Sequence, residues 1–121
     1  MTLIAILASL VLERLLEHVQ DLRRYEPRER IIKAIAHARR RVIVDQLARH
    51  EYCVNELTDM VGCDMSTMSK HLSLLREAGI VRDEKRGACI YYSLRCPCIL
   101  TFFTCTDRVM QSVRDEQASM V

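Results

Sequence analysis

Apolar side chains recur at helical spacing between residues 3 and 22, and this pattern predicts one long N-terminal helix. They form two stripes, with Leu12, Leu15, Val19 and Leu22 in one and Leu3, Leu7 and Leu10 in the other. Glu26 and Pro27 interrupt the pattern, because proline disfavours helix in the residue before it and suits the first turn of a new helix. We therefore expect the first helix to end near residue 25.

Helical spacing continues through the middle of the chain. A second helix is expected over residues 28–49, with a bend near His37 compatible with the pattern, and two short helices over 55–61 and 65–78. Residues 62–64, Gly-Cys-Asp, separate the short helices. Glycine permits a tight turn and aspartate favours a helix N-cap, so the two short helices should be closely joined.

Strand-forming residues follow these helices. Segments 80–83 and 88–94 are rich in such residues, and the polar residues 84–87 between them indicate a hairpin. Pro97 then opens a last helix that should reach about residue 113. Two short helices joined at a glycine turn and followed by a hairpin are the order of a winged helix-turn-helix.

These elements predict a single domain over residues 1–121, mainly α-helical with a small β-hairpin wing. Its expected parts are an N-terminal dimerisation helix at 1–25, a winged helix-turn-helix core at 28–95 and a C-terminal dimerisation or sensor helix at 97–114. The first helix and the last one, with Phe102, Phe103 and Val109, lack other obvious cover. We expect them to pack together across a homodimer interface, with contact to a membrane surface as the weaker alternative.

Length and composition agree with this fold. Of the 121 residues half are hydrophobic and only 5% are aromatic, as in a mostly helical globular domain. The apolar run at residues 2–12 is shorter than the ~20 residues that span a bilayer, and no secretory signal is recognisable, so we expect a cytoplasmic protein. Its six cysteines should then be reduced, as core thiols, metal ligands or redox sensors.

Charge and motifs narrow the class of function. The net charge is only +2, but basic residues concentrate between Arg23 and Arg49, which suits a solvated helix face or part of a phosphate footprint. The chain has no glycine-rich phosphate loop, no Cys-x-x-Cys motif and no nucleophile with an evident histidine and acid partner. We therefore do not expect an enzyme.

The segment 65–78 has an apolar and a polar side. Its apolar side holds Met68, Leu72, Leu75 and Ala78. Its polar side holds five candidates for contacts to base edges and phosphates of duplex DNA: Ser66, Thr67, Ser69, Lys70 and His71. Periodicity alone fits an ordinary amphipathic surface helix equally well. At the hairpin tip, Arg86 is a candidate for contact with phosphate or the minor groove.

Four motifs stand in order along the middle of the chain: Tyr52-Cys53-Val54-Asn55-Glu56-Leu57, Ser66-Thr67-Met68-Ser69-Lys70-His71-Leu72, Leu75-Arg76-Glu77-Ala78-Gly79-Ile80-Val81 and Tyr91-Tyr92. With them, residues 32–94 resemble the ArsR/SmtB family of metal(loid)-responsive winged-helix repressors, in particular its arsenic repressors. The resemblance implies a homodimer with helices from both chain ends at the interface. It also implies that this dimer represses transcription by binding a palindromic double-stranded operator, which it releases when an effector binds.

The resemblance implies an effector site, for which the cysteines are the candidates. Cys53 stands at the first thiol of the family's Cys-Val-Cys site, but Asn55 replaces the second, which leaves one ligand there. The absence of histidine after residue 71 disfavours Zn(II), Co(II) and Ni(II) in the last helix. Cys96, Cys98 and Cys105 remain, three thiols without hard ligands, and with the resemblance they indicate As(III) or Sb(III) as the effector.

Three alternatives remain open. The C-terminal cysteines can be ordinary buried helix residues, or Cys98 and Cys105 can form a redox- or persulfide-sensing pair in a repressor of the same fold. The chain can also be a metalloid-binding dimeric module without DNA binding. Because Cys98 and Cys105 are roughly 10 Å apart along a straight helix, one ion can reach both only if the chain folds back or a second subunit contributes.

Overall fold

The computed structural model describes residues 2–120, which form five helices and a three-stranded sheet. The elements are, in chain order, α1 (Leu3–Ile35), α2 (Ala38–Leu47), β1 (Tyr52–Cys53), α3 (Val54–Val61), α4 (Met65–Glu77), β2 (Val81–Arg86), β3 (Cys89–Leu94) and α5 (Ile99–Ser119). The adjoining helices α3 and α4 and the β2–β3 hairpin confirm the expected mainly α fold with a β wing. Within residues 2–120 no helix carries an apolar stretch long enough to cross a bilayer.

Helix α1 is longer than its sequence pattern predicts. It runs through Pro27, so the expected break between residues 25 and 28 is wrong. A proline inside a helix removes a backbone hydrogen bond, but this part of α1 is exposed and water can reach the freed carbonyl groups. Helix α1 ends at Ile35 instead, and a break at residues 36–37, close to the bend that the sequence pattern allowed, separates it from α2.

The hydrophobic core lies between α2, α3, α4 and the wing. Its most deeply buried side chains are Ile43, Val44, Leu57, Met68, Leu72, Leu75 and Val81. Helix α1 adds Ala34 and Ile35 from its last turn, whereas every described side chain between residues 2 and 33 is exposed. At 33 residues α1 is roughly 50 Å long, so most of it projects away from the core.

The wing is a tighter hairpin than the sequence predicts. Strand β3 lies between β1 and β2, and the pair Arg86 and Cys89 closes a two-residue turn at Gly87 and Ala88. The expected polar turn at 84–87 is therefore wrong, because residues 84–86 continue strand β2. Gly87 makes this possible with a φ of 62° at the first turn position, a conformation that glycine adopts without strain.

Helix α5 is fixed to the core near its first turns. It begins at Ile99 rather than at the expected Pro97 and continues to Ser119. Phe103 is buried, and the Arg41 guanidinium lies 3.8 Å from the centroid of its ring. The same guanidinium lies 3.6 Å from the Asp107 carboxylate. Phe103 therefore belongs to the core and not to the expected dimer surface, because the helix face it occupies is the one that contacts α2. Phe102 and Val109 remain exposed.

Candidate DNA-binding surface and thiol site

The first turn of α4 is fixed by backbone and side-chain caps. Gly62 ends α3 in the left-handed conformation, with a φ of 74°, and two residues later Asp64 caps α4. The Asp64 carboxylate accepts a hydrogen bond from the Thr67 amide over 2.7 Å, which lowers the pKa of that carboxyl below its usual range. The N-terminal end of α4 is thus held at a defined angle to α3.

Four of the five candidate residues on α4 lie together at this end. Ser66, Ser69 and Lys70 are exposed, and Thr67 is half-buried beside them. On the opposite side of the helix Met68, Leu72 and Leu75 are in the core, as the sequence predicts. The arrangement presents two exposed hydroxyl groups and an ammonium group to one side of the domain, where they can form hydrogen bonds with DNA.

His71 is not part of this surface. Its side chain is only 7% exposed, its ring centroid lies 4.8 Å from that of His37, and neither ring nitrogen has a hydrogen-bond partner in the described residues. Position 71 lies three residues after Met68 and four before Leu75, so His71 is on the buried side of α4 and not, as predicted, on its polar side. Burial lowers the pKa of His71, and the neighbouring His37, Arg40 and Arg39 lower it further.

This lowered pKa makes the stability of the domain sensitive to acid. Below pH about 6.5 the unfolded chain takes up a proton at His71 that the folded chain resists, so the free energy of unfolding should fall as the pH decreases. His71→Leu should flatten this dependence without loss of a hydrogen bond. Urea unfolding at several pH values would measure the effect, with the exposed His18→Gln as the control. An unchanged slope in His71→Leu would contradict the assignment.

Arg86 lies beside the wing turn, but its charge is already compensated. Its guanidinium donates to the carboxylates of Glu51 and Glu84, each at 2.8 Å, and lies 5.0 Å from the Tyr91 ring centroid. These bonds, the one to Glu51 first, raise the pKa of Arg86. Contact between Arg86 and a DNA phosphate would therefore compete with two carboxylates.

Lys85 is an exposed wing residue that the sequence analysis did not consider. It is exposed, and no ion pair involving it is found within residues 2–120. Because side chains alternate along a strand, Lys85 shares a face of β2 with Asp83, whose carboxylate lies 2.8 Å from Arg76 of α4. The alternation of side chains along β2 could have identified Lys85 from the sequence. The sequence analysis instead placed residues 84–87 in a turn.

The structure brings together two of the three candidate effector thiols. Cys96 and Cys98 are joined by a disulfide, with their Cα atoms 5.4 Å apart, and Cys98 is the N-cap residue of α5. Cys105 is a free, exposed cysteine two turns further along α5. No group of three metal-binding side chains occurs within residues 2–120. A three-thiol site is therefore not assembled within this chain.

The other three cysteines lie apart from this pair. Cys53 is buried, with its sulfur 3.2 Å from the Glu56 carboxylate, which agrees with its expected role as a small core side chain. Cys63 and Cys89 are half-buried at the helix turn and at the start of β3. None of the three adjoins Cys96 or Cys98 in sequence, and they lie in β1, in the turn between α3 and α4, and in β3.

Comparison with known proteins gives a consistent family match. Residues 37–83 match the family model described as bacterial regulatory protein, arsR family. The arsenic resistance transcriptional regulator ArsR1 of Pseudomonas putida is 38% identical over 65 residues, which cover 53% of this chain and 51% of that protein. The chain spans about half the length of several curated relatives that it matches.

Two solved structures share the fold over most of the chain. The crystal structure of Rv0081 from Mycobacterium tuberculosis superposes with a TM-score of 0.69 at 28% identity, covering 78% of this chain and 95% of that one. The homodimeric winged helix-turn-helix DNA-binding domain Mb0332 from Mycobacterium bovis gives a TM-score of 0.64 at 26% identity, covering 84% and 91%.

Proposed function

We propose that this chain, whose residues 37–83 match the arsR-family model, is a dimeric winged-helix repressor that releases its operator when a thiophilic effector binds. The main support for this proposal is the exposed, polar N-terminal end of α4. Its three outward residues, Ser66, Ser69 and Lys70, stand on a capped helix whose other face is buried. A rigid helix with short polar side chains at its N-terminal end suits the major groove of double-stranded DNA.

Within this proposal α4 reads the operator and the wing binds the DNA backbone. The hydroxyl groups of Ser66 and Ser69 can both donate and accept hydrogen bonds, and Lys70 donates to phosphate or to guanine. On the wing, the uncompensated charge of Lys85 makes it a better phosphate ligand than Arg86. The structural similarity to Mb0332, which is described as a homodimeric DNA-binding domain, supports both DNA binding and dimer formation.

Changing Ser69 and Lys70 together to alanine should weaken operator binding by about 100-fold or more, because each specific contact contributes about 1–3 kcal/mol. Both side chains are exposed, so the domain should stay folded. Fluorescence anisotropy with a duplex from the region upstream of the coding sequence measures the change. The exposed Arg108→Ala on α5 removes an equal charge and should bind normally. Normal binding by the double variant would exclude α4 as the recognition helix.

The effector in this proposal is As(III) or Sb(III). Soft trivalent centres prefer thiolates, and Cys96 and Cys98 can supply two once their disulfide is reduced. Cys105 is the third donor, but it lies roughly 10 Å from Cys98 along the helix axis. Its exposed position favours an arrangement in which Cys105 of a second subunit completes the site. The similarity to a regulator of arsenic resistance supports arsenic as the effector.

The Cys96–Cys98 disulfide favours a second candidate, a redox-sensing repressor. An oxidant would take two electrons and two protons from the paired thiols and form this bond, which lies directly before α5. The pair differs from the Cys98 and Cys105 pair that the sequence suggested. Operator affinity measured for the dithiol and disulfide forms without arsenic separates the candidates, because only a redox sensor requires the two affinities to differ.

A further inference from the structure

Met65, the first residue of α4, is an exposed apolar side chain at the polar end of this helix. Its relative exposure is 48%. Ser66 follows it directly, and Ser69 lies four residues later, so Met65 and Ser69 occupy the same side of α4 one turn apart. The proposed DNA-reading end of α4 therefore carries a long apolar side chain among hydroxyl and ammonium groups.

The Met65 side chain is held against the preceding helix. Its sulfur lies 3.4 Å from the hydroxyl oxygen of Thr58 in α3. That hydroxyl in turn donates to the Val54 carbonyl oxygen over 2.7 Å, so the sulfur rests on an atom with a fixed position. A side chain that is already restrained loses less conformational freedom when it contacts a partner. Met65 is thus both exposed and partly ordered before DNA binds.

The polar groups around Met65 leave one base poorly recognised. A serine hydroxyl both donates and accepts, so Ser66 and Ser69 can pair with the edges of several bases. Lys70 favours guanine, which presents two acceptors in the major groove. Thymine differs from the other bases there by its C5-methyl group, which forms apolar contacts and no hydrogen bond. Of the exposed side chains at this end of α4, only Met65 suits that group.

We propose that Met65 reads a thymine in each half-site of the operator by contact with its C5-methyl group. The inference rests on the proposed function and deepens it, because it names a base that α4 selects. Contact between the methyl group and the flexible thioether chain removes apolar surface of both partners from water. Uracil has the hydrogen-bonding groups of thymine without the methyl group, so its use in place of thymine removes this contact alone.

The test replaces single thymines of the operator by deoxyuridine. The operator duplex is obtained by in vitro selection from random sequences with the reduced protein, and affinities are measured by fluorescence anisotropy. At one thymine position of each half-site, deoxyuridine should weaken binding by the parent about fourfold in one half-site and about 15-fold in both. Met65→Ala should bind the thymine and deoxyuridine duplexes alike, because it lacks the side chain that contacts the methyl group.

Met60→Ala is the matched control. Met60 is a methionine of similar exposure, 44%, but it lies on α3, and its replacement should leave the loss caused by deoxyuridine unchanged. Met65→Gln examines the same position by a gain of preference. Glutamine forms two hydrogen bonds with adenine, so selection with this variant should favour adenine in place of the thymine. Both methionines are exposed, so circular dichroism should show an unchanged fold.

The outcomes separate this inference from the proposed function. If Met65→Ala loses as much affinity as the parent on deoxyuridine, or if no thymine of the operator responds to loss of its methyl group, Met65 does not read thymine and the inference is wrong. The parent would still bind its selected duplex, so the proposed function would stand. If Met60→Ala abolishes the difference as well, the effect does not belong to position 65 and the inference is again wrong. Selection of no duplex by the parent would contradict both.

Discussion

Replacing Val11 and Leu15 together with glutamate is expected to convert the protein into a monomer that no longer binds its operator. Both side chains are more than half exposed in the single chain and line a shallow apolar groove on α1 with Ile4 and Leu7. Exposed apolar surface of this extent marks an interface, and α5 offers a second such surface with Phe102, Val109, Met110 and Val113. Carboxylates buried there without partners would oppose association.

The size of this effect follows from burial and from avidity. Each leucine or valine removed from an interface forfeits about 1.5–3 kcal/mol, and a two-fold dimer loses both residues twice. A dimer with two recognition helices can also bind DNA about 100- to 10,000-fold more tightly than a monomer with one. The four lost side chains amount to at least about 6 kcal/mol, so we expect a loss of at least about 10,000-fold in dimer stability. Operator affinity should fall by at least about 100-fold, since the variant loses the gain from avidity.

Sedimentation analysis and anisotropy would measure the two effects on the same samples. Arg14→Ala changes a charged, exposed residue between the two altered positions and should leave the dimer intact. Because neither Val11 nor Leu15 contacts the core of its own chain, the circular dichroism of the shared fold should persist. A double variant that stays dimeric and binds the operator normally would show that α1 does not form the interface.

Cys98→Ser is expected to abolish release of the operator by arsenite while leaving operator binding unchanged. Serine keeps the shape of the residue, but its hydroxyl is a poor ligand for a soft trivalent centre. Cys98 is exposed and lies outside α4 and the wing, so its replacement should not affect DNA contacts. An effector weakens DNA binding only as far as it prefers the non-binding conformation, which typically gives about 5- to 150-fold. The variant should lose this whole factor.

The measurement is an arsenite titration of the operator complex under reducing conditions, read by anisotropy. Cys89→Ser is the matched control, since it removes a half-buried thiol of the wing and should respond like the parent. Equal release of DNA by Cys98→Ser and the parent would exclude the C-terminal thiols as the effector site. A response in the parent to oxidants alone would favour the redox sensor.

Local chemistry explains why the helix-turn-helix was visible in the sequence. Gly62 and Asp64 each act within a few residues, through a positive φ and a bond to the next turn, so their roles need no tertiary contact. The period of Met68, Leu72 and Leu75 likewise placed one face of α4 in the core. The order of the four sequence motifs then indicated the resemblance to the winged-helix family, and this step needed no knowledge of the three-dimensional structure.

Other features depended on neighbours that are distant in sequence. A proline commonly ends a helix, yet Pro27 lies within α1 because its surroundings leave the freed carbonyl groups open to water. His71 is a polar residue by type, but a half-turn of α4 separates it from Ser69, and His37 covers it. Phe103 was assigned to an interface because only its apolarity was known, whereas Arg41 and the core occupy its face.

The sequence by itself determined the order of the five helices and the hairpin, the resemblance to the ArsR/SmtB family, the polar end of α4 and the three C-terminal thiols as a group, whereas it missed the short strand β1. Tertiary structure alone decided which of these side chains share a site. It paired Cys96 with Cys98, left Cys105 outside, and placed the pair in the wall of an apolar cavity formed by the end of α1, the turn after α4 and the start of α5. The physical reason is that hydrogen bonds, caps and periodicity act over a few residues, whereas burial and cavity shape depend on segments that meet only in the folded chain.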